Sequence, residues 1–208
     1  MAKIRITSAE NPFQSQRLAR LAAGLIATAE AMGLLGDMVI DRLDMATVRH
    51  IVDRIAAAGI GTEAQAALSV PDERPEPGEL AELLGRIAAA IEESPAPAYE
   101  WRSLEALFGT EQLAALLGTS AASVRRYLAG SRETPDLVAA RLHFLATVVG
   151  DLAGAYNDFG IRRWFHRRRQ LLDGRSPAEH LGDDWDSDSD RARSVRRLAR
   201  SLGASAAT

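Results

Sequence analysis

Apolar residues recur at spacings of three and four along almost the whole chain, and that periodicity admits little except packed helices. Leu80, Leu83, Leu84, Ile87 and Ile91 form one such stripe, and Val48, Ile51, Val52 and Ile55 form another. The only strand the pattern suggests is a short one at residues 3–7. Asn11 followed by Pro12 reads as a cap with proline in the first helical turn, opening a helix that runs to Met32 before Gly33. Further helices are expected from Asp44 to Gly59, from a Thr62 cap, and over residues 79–93, with a proline-rich acidic linker at 70–78. Ser94-Pro95-Ala96-Pro97 breaks the chain and marks a boundary. After it come a short helix from Trp101 to Phe108, two brief helices, and a long one opened by Thr134-Pro135-Asp136 and reaching Tyr156. A helix from Phe159 to Leu172, a short one after Ser176-Pro177, and a last one from Asp190 to Leu202 complete the expectation.

The 208 residues suit one large domain or two small ones, and 47% hydrophobic composition supplies a core. With no cysteine, disulfides and cysteine-ligated metals are excluded. The basic residues are Arg apart from Lys3. The net charge of −3 conceals an asymmetry: residues 1–100 carry −6, residues 101–181 carry +3, and residues 182–208 balance. A basic middle behind an acidic front suits a polyanionic or acidic partner for the middle alone, although scattered solvated arginines would give the same sums. The apolar run at 21–29 is too short to span a bilayer, so no membrane association is expected and the cytoplasm is the expected location.

Residues 111–130, EQLAALLGTSAASVRRYLAG, carry the clearest motif. Two short helices meeting at a sharp angle need a small residue at their contact, which Ala114 supplies. Gly118 permits the turn, Ser120 caps the second helix, and Val124 with Leu128 pins it. Ser120, Ala122, Ser123, Arg125 and Arg126 then fall near the outer face, where small residues allow close groove approach and arginine suits guanine edges or phosphates. Arg132 and Thr134 follow at positions suited to phosphate contact. The segment resembles the helix-turn-helix of Xre-type repressors.

Trp164 lies in the run GIRRWFHRRR, followed by Leu172, Gly174, Pro177 and Leu181 in the order Leu-x-Gly-x-x-Pro-x-x-x-Leu. Gly174 ends one helix, Ser176 caps the next, and Pro177 takes the position that tolerates it. This order of parts resembles the toxin-binding domain of the Xre/MbcA/ParS antitoxin family, over roughly the last half of the chain. Periodicity gives an all-α fold with a helical region of unassigned role at 1–98, and the resemblance divides the remainder into a helix-turn-helix and long helix at 99–156 and a toxin-binding domain at 157–208. It also implies a RES-type toxin as partner, a homodimer, and operator DNA bound by the chain. Carried over, the toxin surface comprises Trp164, Gly174, Arg175 and Pro177 at the turn and Arg193, Arg196, Arg197 and Arg200 in the tail. The first 98 residues and the Asp-rich insert at 183–190 have no counterpart in that pattern.

Several features have plainer readings. The arginines at 162–169 either clamp a polyanion or form a solvated face. Trp164 reads first as a core anchor. Asp186, Asp188 and Asp190 mimic the start of a calcium loop, but Arg191 replaces its glycine and Arg197 its bidentate glutamate. His50, His143, His166 and His180 form no metal pair at helical spacing, and no nucleophile elbow, phosphate loop or dinucleotide fingerprint is present. No catalytic residue, metal or cofactor is therefore expected. The leading expectation is an antitoxin that occludes its toxin and represses its own operon. The alternative is a solitary helix-turn-helix regulator or adaptor whose N-terminal region senses a signal or oligomerises.

Overall fold

The computed structural model describes residues 3–68 and 75–206. The chain divides into two compact units, Met1–Ser94 and Pro95–Thr208.

The first unit opens with β1 (Lys3–Ala9), continues through α1 (Gln16–Ala31) and returns as β2 (Val39–Leu43), parallel to β1. Parallel strands need a crossover between them, and α1 provides it. Lys3 pairs with Val39, Ile4 with Ile40, Ser8 with Arg42 and Ala9 with Leu43, with an irregularity between Ile4 and Ser8. This two-stranded sheet corrects the all-α expectation to a mostly helical one. β2 escapes a periodicity reading because it turns inward only Ile40 and Leu43, three apart, while Val39 is exposed.

α2 (Met45–Ala57) starts as expected, with the Asp44 carboxylate accepting from Thr47 N–H at 2.7 Å. The start of α1 differs from expectation. Ser15 occupies its N-cap, and Asn11-Pro12, a cis peptide, belongs to the preceding turn that seats Phe13 in the core. α3 (Thr62–Leu68) and α4 (Pro77–Glu93) follow, with Pro77 in the first turn of α4. Much of the expected linker at 70–78 falls outside the described residues. The α4 stripe Leu80, Leu83, Leu84, Ile87 and Ile91 is buried, largely against α1 and α3.

The second unit is built around α8 (Asp136–Ala153), in which every residue from 141 to 150 is buried. A helix buried on all sides must be covered all round. α5 (Pro97–Phe108), α6 (Thr110–Leu117), α9 (Asp158–His166) and α11 (Asp190–Ala206) supply the cover. α7 (Ala121–Leu128) packs on α5 and α6, and α10 (Pro177–Leu181) on α9 and α11.

Several boundaries shift from expectation. α5 begins at Pro97, ahead of Trp101. Thr134 does not cap α8; Pro135 holds that position, and the Thr134 hydroxyl accepts from Trp101 Nε1–H at 2.9 Å. The helix expected from Phe159 to Leu172 ends at His166, and a separate 3-10 turn spans Gln170–Leu172. α11 runs through Gly203, where a Cβ would come within 2.4 Å of the Asp151 carbonyl oxygen. That glycine serves close approach rather than termination. No single described helix is long and apolar enough to cross a membrane.

Candidate functional site

α6 and α7 are joined by a tight turn in which Gly118 adopts φ +64°, ψ +37°, a left-handed conformation natural to glycine. Ala114 is buried at the contact, and Leu113, Leu116, Leu117 and Val124 fill it. Ser120 caps α7, its Oγ accepting from Ser123 N–H at 3.1 Å. Gly109 holds the N-cap position of α6, and the hydroxyl of Thr110, the first helical residue, donates to Glu105 at 3.0 Å.

The outer face of α7 presents Ala122, Arg125 and Arg126, with Ser120 at its start and Arg132 beyond its end, all exposed. Ser123 is a correction: it is buried, and its hydroxyl accepts from Ser120 Oγ at 3.0 Å and from Arg126 Nη2 at 3.5 Å. It shapes the start of α7 from inside. Arg125 donates to the Glu111 carboxylate at 2.9 Å, and both side chains are mostly exposed. Arg132 lies 5.7 Å from the centre of the Tyr127 ring, which stacks on Trp101 at 5.2 Å. A run of aromatic and polar contacts thus fixes α7 and Arg132 to α5.

The second cluster is the elbow from α9 to α10. Trp164 is 1% exposed, packs edge-on against Phe165 at 5.1 Å, and carries the Arg169 guanidinium 5.8 Å from its ring centre. Its contribution is to shape the elbow from the core. Asp173 and Gly174 both take left-handed conformations, reversing the chain. Ser176 and Glu179 then form a capping box: Ser176 N–H donates to Glu179 Oε2 at 2.8 Å, and Glu179 N–H donates to Ser176 Oγ at 3.3 Å. These bonds to Ser176 hold the Glu179 carboxyl below its ordinary range. Burial lowers the His180 pKa, with Arg175 and Arg191 adding to the effect and Asp173 opposing it. Pro177 is buried in the first turn of α10, while Gly174 and Arg175 face solvent. Leu171, at 80% exposure, and Phe159, at 63%, leave apolar surface on either side of α9's arginines.

The four tail arginines differ in what they touch. Arg196 and Arg200 each approach Asp151 of α8 at 3.5 Å. Arg193 bonds to Asp190 at 2.7 Å and to the Asp188 carbonyl oxygen. Arg197 donates to Ser194 at 3.1 Å and stays exposed. Arg162, from the basic run, bonds to the Leu107 carbonyl oxygen at 2.8 Å, whereas Arg163, Arg167 and Arg168 remain exposed. The run is therefore part structural tie and part open basic surface.

Two buried polar groupings were missed. Arg141 lies inside α8 and bonds to four atoms: the carbonyl oxygens of Trp185 at 2.6 Å, Leu117 at 2.9 Å and Asp183 at 3.3 Å, and the Asp184 carboxylate at 3.1 Å. An arginine within the apolar sequence from 137 to 149 was the available signal, since a buried guanidinium requires partners. The second is His143, whose Nδ1 lies 2.6 Å from Glu100, 43 positions away, with both side chains buried. No sequence signal connects them. Among the described residues no group of three or more His, Asp or Glu is placed to hold a metal ion. An open cleft of about 530 Å³ near Asn11, Asp44 and Glu76 contains none of the sequence-derived site residues. No protein-family model, curated protein or solved structure matches this chain.

Proposed function

We propose that the chain is the antitoxin of a type II toxin–antitoxin pair, binding a RES-type toxin directly and repressing its own operon through the α6–α7 helix-turn-helix. One observation carries the reading. A single compact unit, Pro95–Thr208, holds both a glycine-turned helix pair with arginines on its open face and a capped elbow with a basic, partly apolar surface. The first suits duplex DNA: Ala122 permits approach, Arg125 and Arg126 reach base edges or phosphates, and Arg132 sits at the flank. The second suits a protein: Arg175 and Leu171 on the elbow, with Arg197 on the tail, offer charge around an apolar contact. Trp164 and Pro177 serve that surface by fixing its shape, and a homodimer would present two α7 helices to a two-fold operator.

Co-expression with the product of the adjacent gene tests the toxin arm. Rescue of growth together with co-purification is the expected result, and a harmless or non-binding neighbour rejects it. Titration of a duplex taken from the DNA immediately upstream of the coding sequence tests the DNA arm. A second reading, a solitary regulator with an N-terminal sensing or oligomerising unit, draws on the separate core of Met1–Ser94. It predicts duplex binding without any toxin.

A further inference from the structure

The Asp-rich segment 182–189 does not lie loose between α10 and α11. Trp185 is 3% exposed, meets Phe144 edge-on at 5.0 Å, and donates its indole N–H to the Leu116 carbonyl oxygen at 3.0 Å. Arg141 holds the same segment at Asp183, Asp184 and Trp185, stands over the Trp185 ring at 5.5 Å, and with its remaining reach bonds to the Leu117 carbonyl oxygen. Leu116 and Leu117 close α6. Carbonyls in a helix's last turn have no partner within the helix and need one from elsewhere. Here the segment and Arg141 supply it. The fit is close: a Cβ on Gly118 would stand 2.0 Å from the Asp183 carbonyl oxygen. The two ends of the segment are the end of α10 and the start of α11.

We propose that segment 182–189 is a strap that couples the α10–α11 surface to the presentation of α7, with Arg141 and Trp185 as its positioning residues. This rests on the reading of those two surfaces given above. A partner gripping the elbow and α11 holds the strap at both ends. The middle of the strap fixes the end of α6 and the turn from which α7 departs. Any shift that the partner favours at α10–α11 is therefore passed to the DNA-facing helix through two side chains, and the coupling is reciprocal.

The test is hydrogen exchange on the full chain, wild type against Trp185→Phe and Arg141→Lys. Trp185→Phe keeps a ring against Phe144 and removes the N–H bonded to Leu116. Arg141→Lys keeps the charge and loses the planar fork. For Trp185→Phe, loss of one buried hydrogen bond should raise exchange by about tenfold at Gly118, Thr119 and Ser123 and, in step, at Ala192 and Arg193. Arg141→Lys should give the same pattern with a larger rise. Leu104 and Leu145, in the helical core, report global unfolding and should rise by no more than the stability lost in denaturant unfolding.

A rise at one end alone makes the strap a local brace and overturns the coupling. Ends that open only together with the core, at the same opening free energy as Leu104 and Leu145 in wild type and variants alike, make the segment part of the global unfolding unit and do the same. The upstream duplex, titrated well below the unfolding transition, gives a readout that mere stability would not move: affinity should fall several-fold in both variants. Equal affinity in wild type and variants rejects the positioning role while leaving the DNA-binding reading intact. If the wild type binds no duplex yet both ends still open together, the coupling stands and the DNA-binding reading fails.

Discussion

Arg125 and Arg126 are neighbours on the exposed side of α7, but they are not equally available. Arg125 must leave Glu111 to reach DNA, and an exposed pair of this kind is worth no more than about 1 kcal/mol. Among the described residues, Arg126 has only a long contact to Ser123 to give up. Replacing either with Ala should weaken duplex binding by about 1–3 kcal/mol if it reads a base. Arg132→Ala should instead weaken all duplexes alike and lower the salt dependence by about one counterion. Fluorescence titrations at several salt concentrations separate these outcomes. Ser123 shows why periodicity alone misassigned one residue of this face. Its hydroxyl satisfies Ser120 and Arg126 inside the turn, and a helical wheel cannot see a bond to a cap.

At the scale of elements, the elbow and the turn at Gly118 depend on local chemistry that a few substitutions can break. Ser176→Ala removes the cap of α10 and half of its capping box, and should cost about 1 kcal/mol in thermal or denaturant unfolding. Gly118→Ala should cost more than the ~1–2 kcal/mol of left-handed strain, because the new methyl also meets the strap. The elbow should also be acid-sensitive. His180 has its folded pKa below the usual 6.5, so the unfolded chain binds more protons in that range. Its contribution to stability is complete above pH 6.5 and is lost as pH falls through the folded value. Glu179, held below 4.5, acts in the same sense at lower pH. The melting temperature of the second unit should therefore drop on acidification, and His180→Gln should flatten the portion just below pH 6.5. An unchanged profile in that variant would remove His180 as the cause.

For the whole molecule, the division at Ser94 and Pro95 means that damage to one core need not reach the other. Leu84, 1% exposed in α4, belongs to the first unit. Leu84→Ala should cost about 2–5 kcal/mol there and leave the duplex affinity of the second unit unchanged. If duplex binding is lost with that core, the units are not energetically independent.

The helical character of the chain, the buried stripe of α4, the opening of α2 near Asp44, the Ser120 cap and the Ser176-Pro177 start of α10 were all legible in the residues, because spacing and capping are local interactions. The α6–α7 pair was legible for the same reason. The β1–β2 ladder was not, because its partners lie 34 to 36 positions apart and β2 lacks alternation. Nor was the end of α9 at His166, where no glycine or proline marks the stop. The roles of Arg141 and Trp185 were decided only by tertiary structure, although an arginine inside the apolar sequence from 137 to 149 raised the question for the first of them. Local order in a chain is set by neighbours within about one helical turn. A buried guanidinium's partners are set by which distant carbonyls the packed helices leave exposed to it, and that is known only once the helices have packed.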